Sequence, residues 1–522
     1  MKIVTLLIYG IFFILIVIKM KIKRFYYMDE AYSYGLSNHN MIPTFKKNEY
    51  ESTYDIFYNN YFAVKKNERF DYRKVWKNQK NDVHPPIYYI LLHTICSFFP
   101  GKFSWWYAGS INIFFSLLTL YILRKMILNL SNNNIEICTI VSLLFIFSPG
   151  ILSATIFLRM YVIAMFIFTL LIYIIIKEID ISEYNFNFYL KLYFISVFGA
   201  LTHYYCIFFT ILTCFILTII LLIQRRWKAI IKLIITGISG GITACLIFPS
   251  MLNHIFRGYR AKDTINNLKQ SSQKYWLNLQ FFNKMINKDI FANHFTTIVI
   301  SILILIFINL YLDKKRTKLG IKDYFQQIIY DKSLQNIIIK YIIILVPSLI
   351  YFLFIAKTAI NWHFRFFTPI YCIFFVGFFN LLILLIVNIF EKKYYYFALI
   401  VLILSYIFKN EWIIFWKDVF KPFVPEPIEK YSNLDCIFIY DVGWRILEYI
   451  FEIKQCKMIK FVYDKDINST IFAQDNMNQL LLMYYPNIKI NLNEFIKFFT
   501  KINSYQRIKV RSNLISYYLY SK

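Results

Sequence analysis

The chain has 522 residues, of which 58% are hydrophobic and 17% are charged, and its mean hydropathy is +0.49. Soluble domains carry about 45–50% apolar and about 25% charged residues, so this composition excludes a soluble globular enzyme, a disordered chain and a coiled coil. The formal net charge is +28, but the basic residues are dispersed among apolar runs, which argues against a nucleic-acid-binding face. A multi-pass membrane protein remains.

A membrane-spanning helix needs about 20 mostly apolar residues, and the sequence predicts about eleven such spans. The first run, Ile3–Ile18, is followed by Lys-Met-Lys-Ile-Lys-Arg and not by a small-residue cleavage site, which predicts a retained anchor instead of a signal peptide. The later runs centre on 105–123, 136–152, 160–176, 189–203, 205–223, 230–248, 296–312, 338–355, 366–390 and 395–408.

The apolar stretch Pro86–Phe99 is too short to cross a bilayer upright, and its Pro-Pro start suits the first turn of a helix. We expect it to be a juxtamembrane helix lying at the surface. With this assignment and an inner N-terminus, the short loops rich in Lys or Arg all fall on the cytoplasmic side, as the positive-inside rule requires. These loops are 124–125, 177, 224–228, 313–318 and 391–393.

The predicted fold class is mainly α. It is a polytopic helix bundle over residues 1–408 with a large first outer loop at 19–104 that contains juxtamembrane helices, followed by a small extracytoplasmic α/β domain at 409–522. In that tail, Cys436–Tyr440 and Met458–Tyr463 are typical of buried strands, and Trp444–Ile453 has helical spacing. The chain is therefore expected in the cell (inner or plasma) membrane, with the tail outside.

Two adjacent carboxylates, Asp29 and Glu30, follow the first span directly. Acidic residues are favourable at a helix N-terminus, which is the structural explanation. The functional explanation is a general base close to the lipid surface. The sequence alone leaves both open for this pair.

The outer loops also carry histidine and arginine, which can hold a phosphate by charge and hydrogen bonds. Each position has a structural alternative: a capping turn, a side chain reaching for the interface, or an aromatic belt. Because the positive-inside rule would deplete arginine on this side, their convergence favours an anionic, lipid-linked phosphate ligand. The candidates are Asp82, His84, Tyr88, Arg159, Tyr161, His203, Tyr204, His254, Arg257, Arg260 and Arg365, the last preceded by His363.

Four of these elements, in this order, resemble the GT-C superfamily of integral-membrane glycosyltransferases. They are Asp29-Glu30, Asp82-x-His84-Pro85-Pro86-x-Tyr88-Tyr89, Arg159-Met160-Tyr161 and Thr202-His203-Tyr204-Tyr205. The resemblance is to the bacterial branch related to protein O-mannosyltransferases and aminoarabinose transferases. It covers about the first 260 residues, more weakly the Arg365 region, and not the tail.

The resemblance implies a polyprenyl-phosphate sugar donor and transfer on the outer face with inversion, to an acceptor that is a glycan, a lipid or a protein. It places the base or acceptor-binding role on Asp29 and a donor-phosphate contact on His84. Some relatives have a second acidic residue after the third span, where this chain has Arg159-Met160-Tyr161. A divalent metal is therefore unsupported, although Asp82, His84 and His254 could together hold one.

Two other classes of function remain as alternatives. A transporter or lipid-linked-sugar flippase would show internal repeats and polar groups at mid-membrane, whereas here the polar residues gather at one interface. A non-catalytic scaffold would have no need of Asp29 and His84. Sugar transfer that depends on Asp29 separates the enzyme from both.

Overall fold

The computed structural model describes most of the chain, and all structural statements refer to those residues. They are 2–23, 26–269, 271–317, 330–359, 362–390, 392–409, 434–453, 456–467, 469–472, 478–485, 487–499, 501–511 and 514–520.

The described chain is mainly α-helical, and eight of its helices are long and apolar enough to cross a membrane. This confirms the prediction of a multi-pass helical protein, and each of the eight covers a predicted run. The candidate spans are Ile3–Ile22, Trp105–Leu130, Tyr161–Glu178, Tyr204–Ile223, Trp227–Ile247, Phe295–Lys315, Lys332–Thr358 and Thr368–Ile389.

Three of the eleven predicted spans look different in the structure. The run 136–152 is not one straight helix but two, Ile135–Ile146 and Pro149–Ile156, which meet at 57°. Pro149 lacks the amide hydrogen that would continue the first helix, so it begins a new one. The run 189–203 forms the 15-residue helix Phe186–Ala200, and the run 395–408 lies in Lys392–Lys409; neither is among the candidate spans.

Shorter helices lie between the spans. The apolar stretch after Pro86 is the helix Ile87–Phe98, whose 12 residues are too few for an upright crossing. The first loop contains further helices, as the predicted fold class requires, although the sequence analysis gave no bounds for them. A second helical segment follows Ile247. These helices are Met28–Asn38, Tyr54–Phe62 (a π-helix), Lys66–Glu68 (a 3₁₀-helix), Tyr72–Asn81, Ser250–Phe256, Tyr259–Leu268 and Ser272–Phe291.

A six-stranded sheet is formed mostly by strands that follow the helices in the chain. Its strands lie side by side in the order β1-β3-β2-β4-β6-β5. The central strand β2 pairs in parallel with β3 and β4, and the remaining pairs are antiparallel. The predicted strands at 436–440 and 458–463 are both confirmed, and Gly443–Tyr449 with Ile450–Ile453 between them is helical. The strands are β1 Tyr50–Ser52, β2 Cys436–Tyr440, β3 Met458–Tyr463, β4 Gln479–Tyr484, β5 Ser504–Arg511 and β6 Leu514–Tyr520.

The first strand of this sheet comes from the first loop, which the sequence analysis assigned wholly to the membrane part. Strand β1 pairs with β3, and the Thr53 hydroxyl donates to the Cys456 carbonyl over 2.5 Å. The helix Met28–Asn38 packs against Gly443–Tyr449. The C-terminal sheet is therefore attached to the loop that carries Asp29.

Candidate functional site: a polar cavity above the helix bundle

The helix Met28–Asn38 holds the two adjacent carboxylates, and its position is fixed by buried hydrogen bonds. The Tyr34 hydroxyl donates to the Ser104 carbonyl over 2.7 Å and accepts from the Ala108 amide over 3.1 Å. The Ser33 hydroxyl contacts the carbonyls of Asp29 and Leu158. These bonds tie one end of the helix to the segment that leads into the span Trp105–Leu130.

Glu30 is fully buried and its carboxylate is occupied by donors from three parts of the chain. It forms an ion pair with Lys23, and it accepts from the amides of Tyr27 over 2.6 Å and Leu158 over 2.8 Å. Lys23 also donates to the Ile156 carbonyl over 2.6 Å. Glu30 does not line the cavity described below, so this environment supports a structural role in place of the predicted catalytic one.

Asp29 points to the other side and forms an ion pair with Arg365. Arg365 belongs to the short 3₁₀-helix Phe364–Phe366, whose first turn is capped by His363. The His363 Nδ1 accepts from the Arg365 amide over 3.2 Å, and burial lowers the pKa of His363 to about 3. A neutral His363 therefore orients the segment that brings Arg365 to Asp29.

Arg159 is almost completely buried, and its guanidinium contacts several polar groups of the first loop. Its Nη1 lies 3.1 Å from the Asp29 carbonyl, 3.1 Å from the Ser33 hydroxyl and 3.2 Å from the Tyr89 hydroxyl. Its Nη2 lies 3.5 Å from His84 Nε2. The Nε atom is buried and has no hydrogen-bond partner within the described residues.

His84 is oriented by Asp82, whose carboxylate lies 2.8 Å from Nδ1. Burial lowers the pKa of His84 and outweighs the opposing effect of Asp82. Burial alone would raise the pKa of Asp82, but His84 and Arg159 hold it below its usual value. The pair is thus a carboxylate accepting from the Nδ1–H of a neutral imidazole, which leaves Nε2 to accept from Arg159.

His203 and His254 are the next two histidines of the site. The ring of His203 lies 6.2 Å from that of His84 and 5.3 Å from that of Tyr161, and burial holds the pKa of His203 well below its usual range. His254 is bound at both nitrogens: Nε2 donates to the Lys80 carbonyl over 3.1 Å, and Nδ1 accepts from the Tyr204 hydroxyl over 2.7 Å.

These elements enclose a cavity of about 390 Å³. Its lining combines polar side chains with apolar ones, several of which come from the spans and from the helix Tyr259–Leu268. Nine of the thirteen predicted site residues line it: Asp29, His84, Arg159, Tyr161, His203, Tyr204, His254, Arg260 and Arg365. Its apolar lining includes Phe208, Ile255, Ala261, Ile265, Phe354, Ala359 and Phe366.

Four predicted site residues do not line this cavity. Besides Glu30, Asp82 lies behind His84, the buried Tyr88 packs its ring 5.7 Å from that of Tyr89, and the exposed Arg257 ends the helix Ser250–Phe256. The sequence analysis missed the partner role of Tyr89, although it follows Tyr88 in the same motif. It also missed the apolar lining, because these residues carry no signal distinct from the spans that contain them.

The described residues contain no group of three or more His, Cys, Asp or Glu side chains that could hold a metal ion. His254 in particular has both ring nitrogens engaged by protein atoms. The arrangement therefore gives no support to the metal site that the sequence left open.

No protein-family model and no curated protein sequence matches this chain. Among solved structures, two of ArnT from Cupriavidus metallidurans align with it, each with a TM-score of 0.45 and 8% sequence identity. The alignment with the structure bound to undecaprenyl phosphate covers 97% of this chain and 97% of that chain, and the alignment with the apo structure covers 93% and 95%. A likeness at this level identifies neither the family nor the activity of the chain, and its function must be inferred from its own cavity.

Proposed function

We propose that this protein is a membrane glycosyltransferase that moves a sugar from a polyprenyl-phosphate donor to an acceptor on the outer face of the membrane. The observation that carries the proposal is a single cavity whose lining brings together Asp29, several arginines and histidines, and apolar side chains. Such a cavity matches each part of a lipid-linked sugar phosphate: an anionic head, a reacting sugar and a hydrocarbon tail.

The charge balance favours an anionic ligand. Three guanidinium groups, Arg159, Arg260 and Arg365, line the cavity together with one carboxylate, Asp29. Burial lowers the pKa of His84 and of His203, so these two imidazoles do not change this balance at neutral pH. Arg159 is held by protein acceptors before any ligand arrives, and a preorganised guanidinium suits a phosphate well.

The apolar wall supports a lipid-linked donor over a soluble sugar nucleotide. Phe208 and Phe354 face each other with ring centroids 4.2 Å apart, and both line the cavity. They belong to the candidate spans Tyr204–Ile223 and Lys332–Thr358, so the polar head space continues into the part of the bundle expected to contact lipid. A hydrocarbon chain can leave the cavity along these helices without crossing water.

Asp29 is the proposed base. The acceptor O–H or N–H donates to its carboxylate, the acceptor atom attacks the anomeric carbon, and the proton passes to Asp29. The bond from that carbon to the phosphate oxygen breaks, and its electron pair leaves with the lipid phosphate. Arg365 orients the carboxylate through their ion pair, and the proton moves as the attacking atom becomes more acidic.

The leaving group needs no general acid, because a phosphate already leaves as a stable anion. Its growing negative charge is met by Arg159 and Arg260, and by His84 once that side chain has taken up a proton. Asp82 fixes the tautomer of His84 through its 2.8 Å contact with Nδ1. Apart from the donor and the acceptor, every group in this scheme is a side chain of this protein.

A transfer assay tests the proposal. The purified protein in detergent is given a panel of radiolabelled polyprenyl-phosphate sugars with a membrane extract as the acceptor source. Wild type should move label from one donor, whereas Asp29→Asn should lose transfer by about 10²–10⁴-fold, as expected when a base is removed. Asp55→Asn is the matched control, since Asp55 is an exposed carboxylate of the same loop that does not line the cavity.

The outcomes separate the classes of function. Transfer by wild type and Asp55→Asn but not by Asp29→Asn supports the enzyme with Asp29 as base. Full activity of Asp29→Asn removes Asp29 from that role. Saturable donor binding with no turnover from any donor contradicts the transferase and favours a flippase or a scaffold.

A further inference from the structure

A second groove lies far from the cavity, between the helices Tyr161–Glu178 and Phe186–Ala200, and its volume is about 490 Å³. The span Tyr161–Glu178 begins in the cavity at Tyr161 and has 18 residues. At about 1.5 Å per residue, its last turn is about 25 Å from the cavity. The groove is therefore a separate feature at the opposite end of the bundle.

The groove is divided into a polar end and an apolar body. Because the two helices run in opposite directions, the last turn of one lies beside the first turns of the other. The polar end is formed by Lys177, Glu178, Asn187 and Lys191. The apolar body is formed by Leu170, Tyr173, Ile174, Leu190, Phe194 and Ile195.

The apolar body faces outward from the bundle. Phe194 is 60% exposed and Leu190 is 37% exposed, although both are large apolar side chains. In a chain that crosses a membrane, such a surface is covered by hydrocarbon. Lys177 and Glu178 end the candidate span Tyr161–Glu178, so the polar end of the groove lies where this span meets the lipid head groups.

The polar end determines which head group fits. Lys177 and Lys191 present ammonium groups, and Glu178 presents a carboxylate beside them. In the described part of the chain none of the three forms an ion pair or a hydrogen bond through its side chain, so they remain available. Two cations and one anion match a head group that contains both a phosphate and an ammonium.

We propose that this groove binds an amine-bearing phospholipid of the phosphatidylethanolamine type. Lys177 and Lys191 bind its phosphate, Glu178 accepts hydrogen bonds from its primary ammonium, and one acyl chain lies along Leu190 and Phe194. Phosphatidylcholine fits less well, because its methylated ammonium has no N–H to donate. Phosphatidylglycerol satisfies the lysines, but its neutral hydroxyls offer Glu178 hydrogen bonds without a countercharge.

Native mass spectrometry of the full-length protein tests the site, with phosphatidylethanolamine, phosphatidylcholine and phosphatidylglycerol of identical acyl chains. Wild type should retain phosphatidylethanolamine about fivefold over phosphatidylcholine, as a charge-assisted hydrogen bond predicts. Glu178→Gln should reduce that preference to about twofold or less and raise retention of phosphatidylglycerol. Lys177→Gln with Lys191→Gln should weaken retention of all three.

Lys315→Gln serves as the control, because Lys315 ends the candidate span Phe295–Lys315 and does not line the groove. It should leave the lipid preference of wild type unchanged. The proposal is overturned if Glu178→Gln keeps the wild-type preference, or if the lysine variants retain lipid as wild type does. All substituted side chains are polar and none is buried, so the variants should elute as the folded protein does. The result does not depend on whether the chain transfers sugar.

Discussion

The adjacent carboxylates Asp29 and Glu30 should respond to the same chemical change in opposite ways. Glu30→Gln removes the charge that faces Lys23, whose side chain is 2% exposed. Asp29→Asn removes a charge that faces Arg365 at the wall of a cavity. We expect the first substitution to destabilise the fold and the second to affect donor turnover.

The expected loss for Glu30→Gln follows from its contacts. One carboxylate oxygen serves Lys23 and the Leu158 amide, and the other accepts from the Tyr27 amide over 2.6 Å. Glutamine keeps one side-chain oxygen as an acceptor, and its NH₂ group takes the place of the other oxygen and therefore faces one of these donors. The Lys23 charge also loses its counterion. Breaking a buried ion pair from one side costs about 3–5 kcal/mol. Asp29→Asn should cost about 1 kcal/mol, because Arg365 lines a space that solvent can fill.

Thermal unfolding in detergent, followed by tryptophan fluorescence, measures both effects. Burial lowers the pKa of Lys23 from 10.5 and Glu30 raises it, so Glu30→Gln should lower the pKa further. The folded state then binds fewer protons than the unfolded state, and stability rises with pH up to about 10.5. The deficit of Glu30→Gln relative to wild type should therefore be largest where Lys23 is charged in the folded protein and shrink as the pH rises towards 10.5.

The double substitution Lys23→Met with Glu30→Gln is the decisive comparison. It removes the unpaired charge and keeps an acceptor for the Leu158 amide, so it should regain at least about 2 kcal/mol over Glu30→Gln alone. An unfolding temperature of Glu30→Gln equal to that of wild type would refute the structural role. A double variant less stable than Glu30→Gln would refute the assignment of the loss to the Lys23 charge.

Three further outcomes follow from the site. Donor affinity should strengthen as pH falls towards the lowered pKa of His84, by at most about tenfold per pH unit. The reason is that only protonated His84 can donate from Nε2 to the phosphate. Equilibrium binding of a labelled donor measures this effect, and His84→Gln should abolish the pH dependence. Asp82→Asn should shift the same binding curve to lower pH, since Asp82 favours the protonated imidazole; an unshifted curve contradicts the pairing. Gly35→Ala should lower stability by about 1–3 kcal/mol, because its Cβ would meet the buried ring of Tyr61, and an unfolding temperature within error of wild type would show that Tyr61 can move aside.

The spans could be predicted because hydrophobicity and length are properties of the sequence itself. Eight predicted runs correspond to candidate spans, and Pro86–Phe99 was recognised as too short by the same measure. The bend in 136–152 was missed, although Ser148-Pro149 lies within it. An apolar run on both sides of a proline predicts burial, but it does not determine the direction in which the chain continues.

The site was predicted as a set, but its members could not be ranked. Nine of thirteen candidates line the cavity, because helix-terminal loops on one face of a bundle meet there. Asp29 and Glu30 could not be distinguished, since neighbouring residues of a helix point about 100° apart. Which of them faces the cavity depends on the rotation of the helix, and that rotation is set by distant contacts such as Tyr34 with Ser104.

The attachment of the C-terminal sheet to the first loop could not be predicted from the sequence either, because it also depends on contacts between distant residues. Strand β1 has three residues, too few for a pattern, and its partner β3 lies about 400 positions later. Yet this pairing bears directly on the site. The helix that carries Asp29 ends at Asn38, the chain enters the sheet at Tyr50, and the 3₁₀-helix Gly443–Tyr449 packs against the same helix. The orientation of the proposed base therefore depends on contacts from both ends of the chain. It follows that substitutions in β3 should change turnover through the position of Asp29, although none of its residues lines the cavity.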